Sequence, residues 1–144
     1  MALFRVLLAD DHSGVLAYLD AQLGRVFEIV GAVTNGKQAV DATLRLDPDV
    51  LVLDISMPVM NGFQAAACLR DVKCRAKIVI LTVYEDPDCI DAAFSSGASA
   101  YVSKPHISTD LVTAIRSVIR GSRYISPSLP YKKSKLDLQC HLMS

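Results

Sequence analysis

Residues 50–62 read VLVLDISMPVMNG: four aliphatic residues without interruption, an aspartate, then a turn-forming stretch through Pro58 that closes on Asn61-Gly62. A short run that is apolar throughout fits a strand covered on both faces, because a strand with one wet face would alternate. The layout recurs. VLLA ends in Asp10-Asp11, KIVIL in Thr82 and AYVS in Lys104. Parallel strands all end at the same edge of their sheet. Asp10, Asp11, Asp54, Thr82 and Lys104 are therefore expected to converge at the carboxyl edge, where open α/β sheets bind ligands.

Between these runs lie segments of helical period, an alternation that argues for repeated strand–helix units and a parallel sheet. Strands are expected near residues 5–9, 27–33, 50–53, 77–81 and 99–102. The first helix is expected to be capped by Ser13, to turn Val15, Leu16, Leu19 and Leu23 inward and to end at Gly24. Asn35-Gly36 opens a second, with Val40 and Leu44 inward, and Asn61-Gly62 leads into a third. Asp86-Pro87 starts a fourth that closes at Gly97. The fifth has Ser108 or Thr109 at its cap, a stripe of Leu111, Val112, Ile115, Val118 and Ile119, and Gly121 at its end. The fold class is α/β, a flavodoxin-like doubly wound sheet of five parallel strands in the order 2-1-3-4-5 with five helices. Residues 1–122 form one domain. Residues 123–144, with prolines and no sustained period, read as a tail or truncated linker.

Composition narrows the function. A chain of 144 residues supports one sizeable core. Although 51% of its residues are apolar, no run approaches a membrane span, and the start lacks the layout of a secretory signal. A soluble, cytoplasmic protein with no membrane partner is expected. Cys68, Cys74, Cys89 and Cys140 have neither CxxC nor zinc-finger spacing and read as idle thiols. Residues 1–122 carry eleven Lys/Arg against fourteen Asp/Glu, net −3, and residues 123–144 four against one, net +3. A mildly acidic domain with a short basic end is a poor electrostatic match to DNA.

The convergent residues define a chemistry. Three carboxylates at one edge repel one another unless a cation neutralises them, and an oxygen-seeking divalent ion such as Mg²⁺ suits them. Lys104 can pair with Asp54 or with a phosphoryl oxygen, and the Thr82 hydroxyl can donate to another. The set describes a site for an aspartyl phosphate. No GxxxxGK[ST] is present, so a bound nucleotide is not expected as the phosphate donor.

From about Arg5 to Gly121 the chain resembles the receiver domains of two-component response regulators. The resemblance rests on LLADD, LVLDISMPVMNG, VILT and YVSKP, with Pro58 and Gly62 fitting the loop after the acceptor. It implies a phosphoacceptor rather than an enzyme in its own right. Asp54 takes the phosphoryl group from a phosphohistidine of a sensor histidine kinase. Asp11 binds Mg²⁺ directly, Asp10 assists through water, and the Ser56 backbone carbonyl completes the protein ligands. Thr82 and Tyr101 match the switch pair, and Lys104-Pro105 is expected to be cis. A switched surface around the fourth helix, last strand and last helix would serve a homodimer or a downstream protein. ADDH, GASAYVSK and AIRSVIRGSRYISPSL are most similar to the NarL/FixJ-type branch, whose members usually carry a helix-turn-helix domain after the receiver. No such pattern follows Leu129, so DNA binding by this chain alone is not expected. Ser13 stands where the branch commonly has proline, and Val83 is bulkier than the small residue many receivers have after the hydroxyl. His12 and His106 read as surface residues, and Ser56 and Tyr84 as rim residues. Competing readings are an aspartate-nucleophile phosphohydrolase of the haloacid-dehalogenase type, a flavodoxin-like cofactor binder, and a receiver-like interaction module without phosphotransfer. The first lacks its DxD at the first strand, and the second lacks its phosphate loop.

Overall fold

A computed structural model describes residues 3–129 and 131. Strands and helices alternate: β1 (Arg5–Ala9), α1 (Ser13–Leu23), β2 (Glu28–Val33), α2 (Gly36–Leu46), β3 (Val50–Leu53), α3 (Gly62–Asp71), β4 (Lys77–Thr82), α4 (Pro87–Ser95), β5 (Ala100–Ser103), a 3₁₀ turn (Lys104–His106), α5 (Ile107–Ile119) and β6 (Tyr124–Ile125). The sheet runs β2-β1-β3-β4-β5-β6 with every pairing parallel. The first five strands thus take the expected order. β6 is additional, and lies in the stretch the sequence reading assigns to a tail. Lys132, Lys133, Lys135 and Cys140 lie outside the described residues.

Both faces of the sheet are covered, which explains the unbroken apolar runs. Leu7, Leu51, Leu53, Ile78, Ile80 and Tyr101 face α2, α3 and α4. Val6, Leu8, Val50, Val52, Val79, Leu81 and Val102 face α1 and α5. Each fully buried aliphatic side chain contributes about 1.5–3 kcal/mol of transfer free energy, so this sandwich drives the fold. The Leu111, Ile115 and Val118 stripe of α5 is buried as its period requires.

Four local expectations need correction. α1 is capped by His12, whose Nδ1 accepts from the Val15 amide at 3.2 Å, and Ser13 is the first helical residue, the position proline favours. Gly14 leaves room for that imidazole: a Cβ there would stand 2.9 Å from His12 Cε1. On α2 Ala39, Ala42 and Thr43 are buried and Val40 packs against the core as expected, but Leu44 is 53% exposed. A helix this close to its neighbours selects small residues, and Leu44 falls off the face they define. α5 begins without a side-chain cap, because the 3₁₀ turn feeds directly into it; Ser108 and Thr109 sit inside its first turn. Finally, no described peptide is cis, so Lys104–Pro105 is trans. Pro105 occupies the 3₁₀ turn, whose φ its ring already matches.

The β3–α3 loop is pressed between backbones. A Cβ on Gly36 would collide with the Met60 carbonyl oxygen, and one on Gly62 with the Asp54 carbonyl oxygen and, at 2.9 Å, Ile55 Cα. Main-chain atoms cannot rotate away as a side chain does. Gly62→Ala is therefore expected to cost about 1–3 kcal/mol or more in urea unfolding, with the loop after Asp54 displaced.

Candidate functional site

Register brings the acids together. β1 and β3 are parallel neighbours with Ala9 opposite Leu53, so the next residue of each, Asp10 and Asp54, stand side by side. Their amides are held by the ladder: Asp10 N donates to Val33 O at 3.1 Å and Asp54 N to Ala9 O at 3.0 Å. Asp10 is 1% and Asp54 6% exposed, whereas Asp11 faces solvent. Carboxylate oxygens of Asp10, Asp11 and Asp54 lie within 4.8 Å of one another.

Lys104, just past β5, supplies the counter-charge. Its Nζ lies 2.7 Å from Asp10 Oδ2 and 3.4 Å from Asp54 Oδ2. Asp10 Oδ1 accepts from the His12 amide at 2.9 Å. Asp10 Oδ2 is sealed from solvent and has no other hydrogen-bond donor among the described residues. Burial, reinforced by Asp10 and opposed by Lys104, pushes the Asp54 carboxyl up to about 6. Burial alone would lower Lys104; the hydrogen bond to Asp10 and the charges of Asp54 and Asp10 outweigh it and hold the ammonium above its usual range. Three carboxylates against one ammonium leave two negative charges when all are ionised. The all-oxygen donor set and that deficit fit a hard divalent cation.

The response regulator receiver domain family matches residues 6–116. That is most of the chain, and it contains the whole acid cluster and Lys104. The chain belongs to this family. It is 37% identical over 126 residues to the transcriptional regulatory protein DesR of Bacillus subtilis, covering 86% of this chain and 62% of DesR. It is 34% identical over 131 residues to YvfU of the same organism, covering 90% of this chain and 66% of YvfU. The chain thus spans somewhat less than two thirds of these relatives' length. Among solved structures, a LuxR-family two-component response regulator from Aurantimonas sp. superposes with a TM-score of 0.83 at 29% identity, covering 88% of this chain and 91% of that one. The signal receiver domain of the putative response regulator NarL from Mycobacterium tuberculosis gives 0.76 at 28%, covering 84% and 99%.

In this receiver the two residues read as a switch pair meet on one backbone unit. Thr82, fully buried at the end of β4, accepts from the Tyr84 amide at 3.2 Å. Tyr101 is fully buried with its ring inward, and its hydroxyl donates to the Tyr84 carbonyl at 2.7 Å. Burial above all raises the Tyr101 phenol, so it stays a donor. The Tyr84 side chain faces the rim, where its hydroxyl accepts from Ser56 Oγ at 3.1 Å. Sequence reasoning named Tyr84 only as a rim residue. Its role in joining Thr82 to Tyr101 depends on its main chain, which no residue type announces.

A groove of about 590 Å³ opens beside the acids, bounded by Asp11, Ser56, Met57, Asn61, Tyr84 and Cys89 among others. Pro58, which borders the groove, begins a tight turn: Met60 N donates to Pro58 O at 2.7 Å across Val59, which has φ 70°. A β-branched residue in that region costs on the order of 1–3 kcal/mol. His12 and His106 lie outside the acid cluster. Val83 is 63% exposed.

The raised Asp54 carboxyl has a stability consequence in metal-free solution. Folding raises its pKa from 3.8 to about 6, so the native state holds the proton more tightly and stability falls as pH rises through that window. Asp54→Asn lacks the penalty. Its advantage over the parent in urea unfolding is expected to be small near pH 4, to grow to about 3 kcal/mol at most by pH 7, and to be flat above that. Added Mg²⁺ should narrow the gap by favouring the parent.

Proposed function

We propose that this receiver accepts a phosphoryl group on Asp54 from a phosphohistidine of a sensor histidine kinase. The observation that carries the reading is the buried Asp10–Asp54–Lys104 cluster, with Asp11 at its mouth. An Asp54 carboxylate oxygen attacks phosphorus, the P–N bond breaks, and its electron pair leaves with the imidazole. Mg²⁺ held by Asp10, Asp11, Asp54 and the Ser56 carbonyl would neutralise charge on the transferring group. The residues of the chain do the rest. Burial strips water from Asp54, the Lys104 ammonium is poised to move from carboxylate to phosphoryl oxygen, and Thr82, which uses its oxygen to accept from Tyr84, keeps its proton for the phosphoryl group. The chain is a phosphoacceptor whose chemistry is limited to self-catalysed transfer and autodephosphorylation, in the cytoplasm.

The output is a change of protein contact at the α4–β5–α5 face. Tyr101 lies on β5 and is tied to the β4–α4 segment through Tyr84, so a movement of Thr82 towards a phosphoryl group reaches that face by two hydrogen bonds. A homodimer partner or a downstream protein would use it. The relatives' names refer to transcriptional regulation. The mildly acidic balance of residues 1–122, eleven Lys/Arg against fourteen Asp/Glu, supports a protein contact rather than DNA as the direct output of this domain.

Acetyl phosphate with Mg²⁺ is expected to add one phosphoryl group, located on Asp54 by mass spectrometry of peptides. EDTA or Asp54→Asn should abolish it. Lys104→Ala should slow labelling by about 10². Labelling that persists in Asp54→Asn would overturn Asp54 as the acceptor, whereas a chain inert to phosphodonors with Mg²⁺ present would leave an interaction module instead.

A further inference from the structure

The face assigned to partners is already occupied by the chain itself. β5 would be an edge strand, but the segment after α5 returns along it. Tyr124 N donates to Ser99 O at 3.2 Å, Ser126 N to Tyr101 O at 3.0 Å, and Ser103 N to Ser126 Oγ at 3.2 Å. Ser126 is 1% exposed, and Leu129 is 6% exposed, packed with the Tyr101 side of the core. Two contacts then reach α4: the Tyr131 hydroxyl donates to Asp91 Oδ1 at 2.7 Å, and the Arg123 guanidinium lies 5.6 Å from the centre of the Phe94 ring. Burial and Asp91 hold the Tyr131 phenol up to about 12, so it remains a donor at neutral pH.

The same segment touches both routes out of the acid site. Ser126 binds the amide of Ser103, next to Lys104, and Ser128 Oγ lies 3.3 Å from His106 Nδ1 in the turn that carries Lys104. On the other side it binds the carbonyl of Tyr101, whose hydroxyl holds Tyr84. Its hold is a short one: two residues of parallel pairing, the Ser126 and Ser128 bonds beside them, one buried leucine and one tyrosine hydroxyl. A partner cannot take the β5 edge while the segment lies on it.

We propose that residues 124–129 with Tyr131 form a strap that closes the α4–β5 face in the unphosphorylated receiver and is released when the acid site is loaded. The release half rests on the phosphoacceptor reading, and the docking half does not. Movement of Thr82 and Lys104 towards a phosphoryl group pulls on Tyr84–Tyr101 and on the 103–106 turn together, and those are the strap's seats on β5.

Amide hydrogen exchange on the full chain, resolved by residue by NMR, tests both halves. In the parent, the Ser126 and Leu129 amides are expected to exchange far more slowly than in a free peptide. Tyr131→Phe keeps the ring and removes the bond to Asp91; it should speed both amides about tenfold, the factor matching one hydrogen bond, and leave the Leu53 amide unchanged. Free-peptide rates in the parent, or no change in Tyr131→Phe, would overturn docking. Beryllofluoride with Mg²⁺, a phosphoryl mimic, should speed the same two amides in the parent. If it shifts the Thr82 and Lys104 resonances and leaves the strap protected, release is wrong and the acceptor reading stands. If it shifts neither, the acceptor reading falls and release with it, while docking is judged by Tyr131→Phe alone.

Discussion

The structure is organised around an unbalanced charge held in a dry place. Asp10 and Asp54 are almost fully buried side by side, with the single ammonium of Lys104 between them and Asp11 outside. Two adjacent buried carboxylates are costly, and one ammonium offsets only part of the cost. The sheet enforces the arrangement: the β1–β3 register leaves no other place for either residue, and the apolar layers on both faces resist slippage. A site kept in electrostatic deficit by the rest of the fold is one that a divalent cation and a phosphoryl group can complete.

Neighbouring groups are closely tied as well. Thr82 takes the Tyr84 amide, Tyr101 takes the Tyr84 carbonyl, and Ser56 takes its side chain. No member can shift without altering the others' hydrogen bonds, and unmade bonds in a buried setting cost about 1–3 kcal/mol each. Small movements at the acids are therefore passed on as changes of partner rather than absorbed. The strained turn at Val59 and the packing of Gly36 and Gly62 against the β3–α3 loop restrain the other side of the acid site.

β6 alters the picture of the output face. With it in place the sheet has no free β5 edge, which removes an opportunity for unwanted strand pairing. The same cover bonds the Tyr101 carbonyl through the Ser126 amide and the Ser103 amide through the Ser126 hydroxyl, next to the acid site. Protection of an edge and a connection to the acid cluster come from one short segment.

Residue type and order were enough to establish the strand–helix alternation, the five-strand order, and the caps at Asn35, Asn61 and Asp86, because apolar period and capping chemistry are local. They were enough to single out Asp10, Asp11, Asp54 and Lys104, because parallel strands must end at one edge. Tertiary structure decided what depends on distance and room. His12 rather than Ser13 caps α1 because Gly14 lets the ring fold back, and Leu44 is exposed because α2 packs through alanines. Lys104–Pro105 is trans because a 3₁₀ turn accommodates the proline. Tyr84 joins Thr82 to Tyr101 through backbone atoms that every residue possesses, and β6 forms from a stretch with no period of its own. A two-residue strand gains its stability from the edge it lies against, so nothing within Tyr124-Ile125 could have declared it.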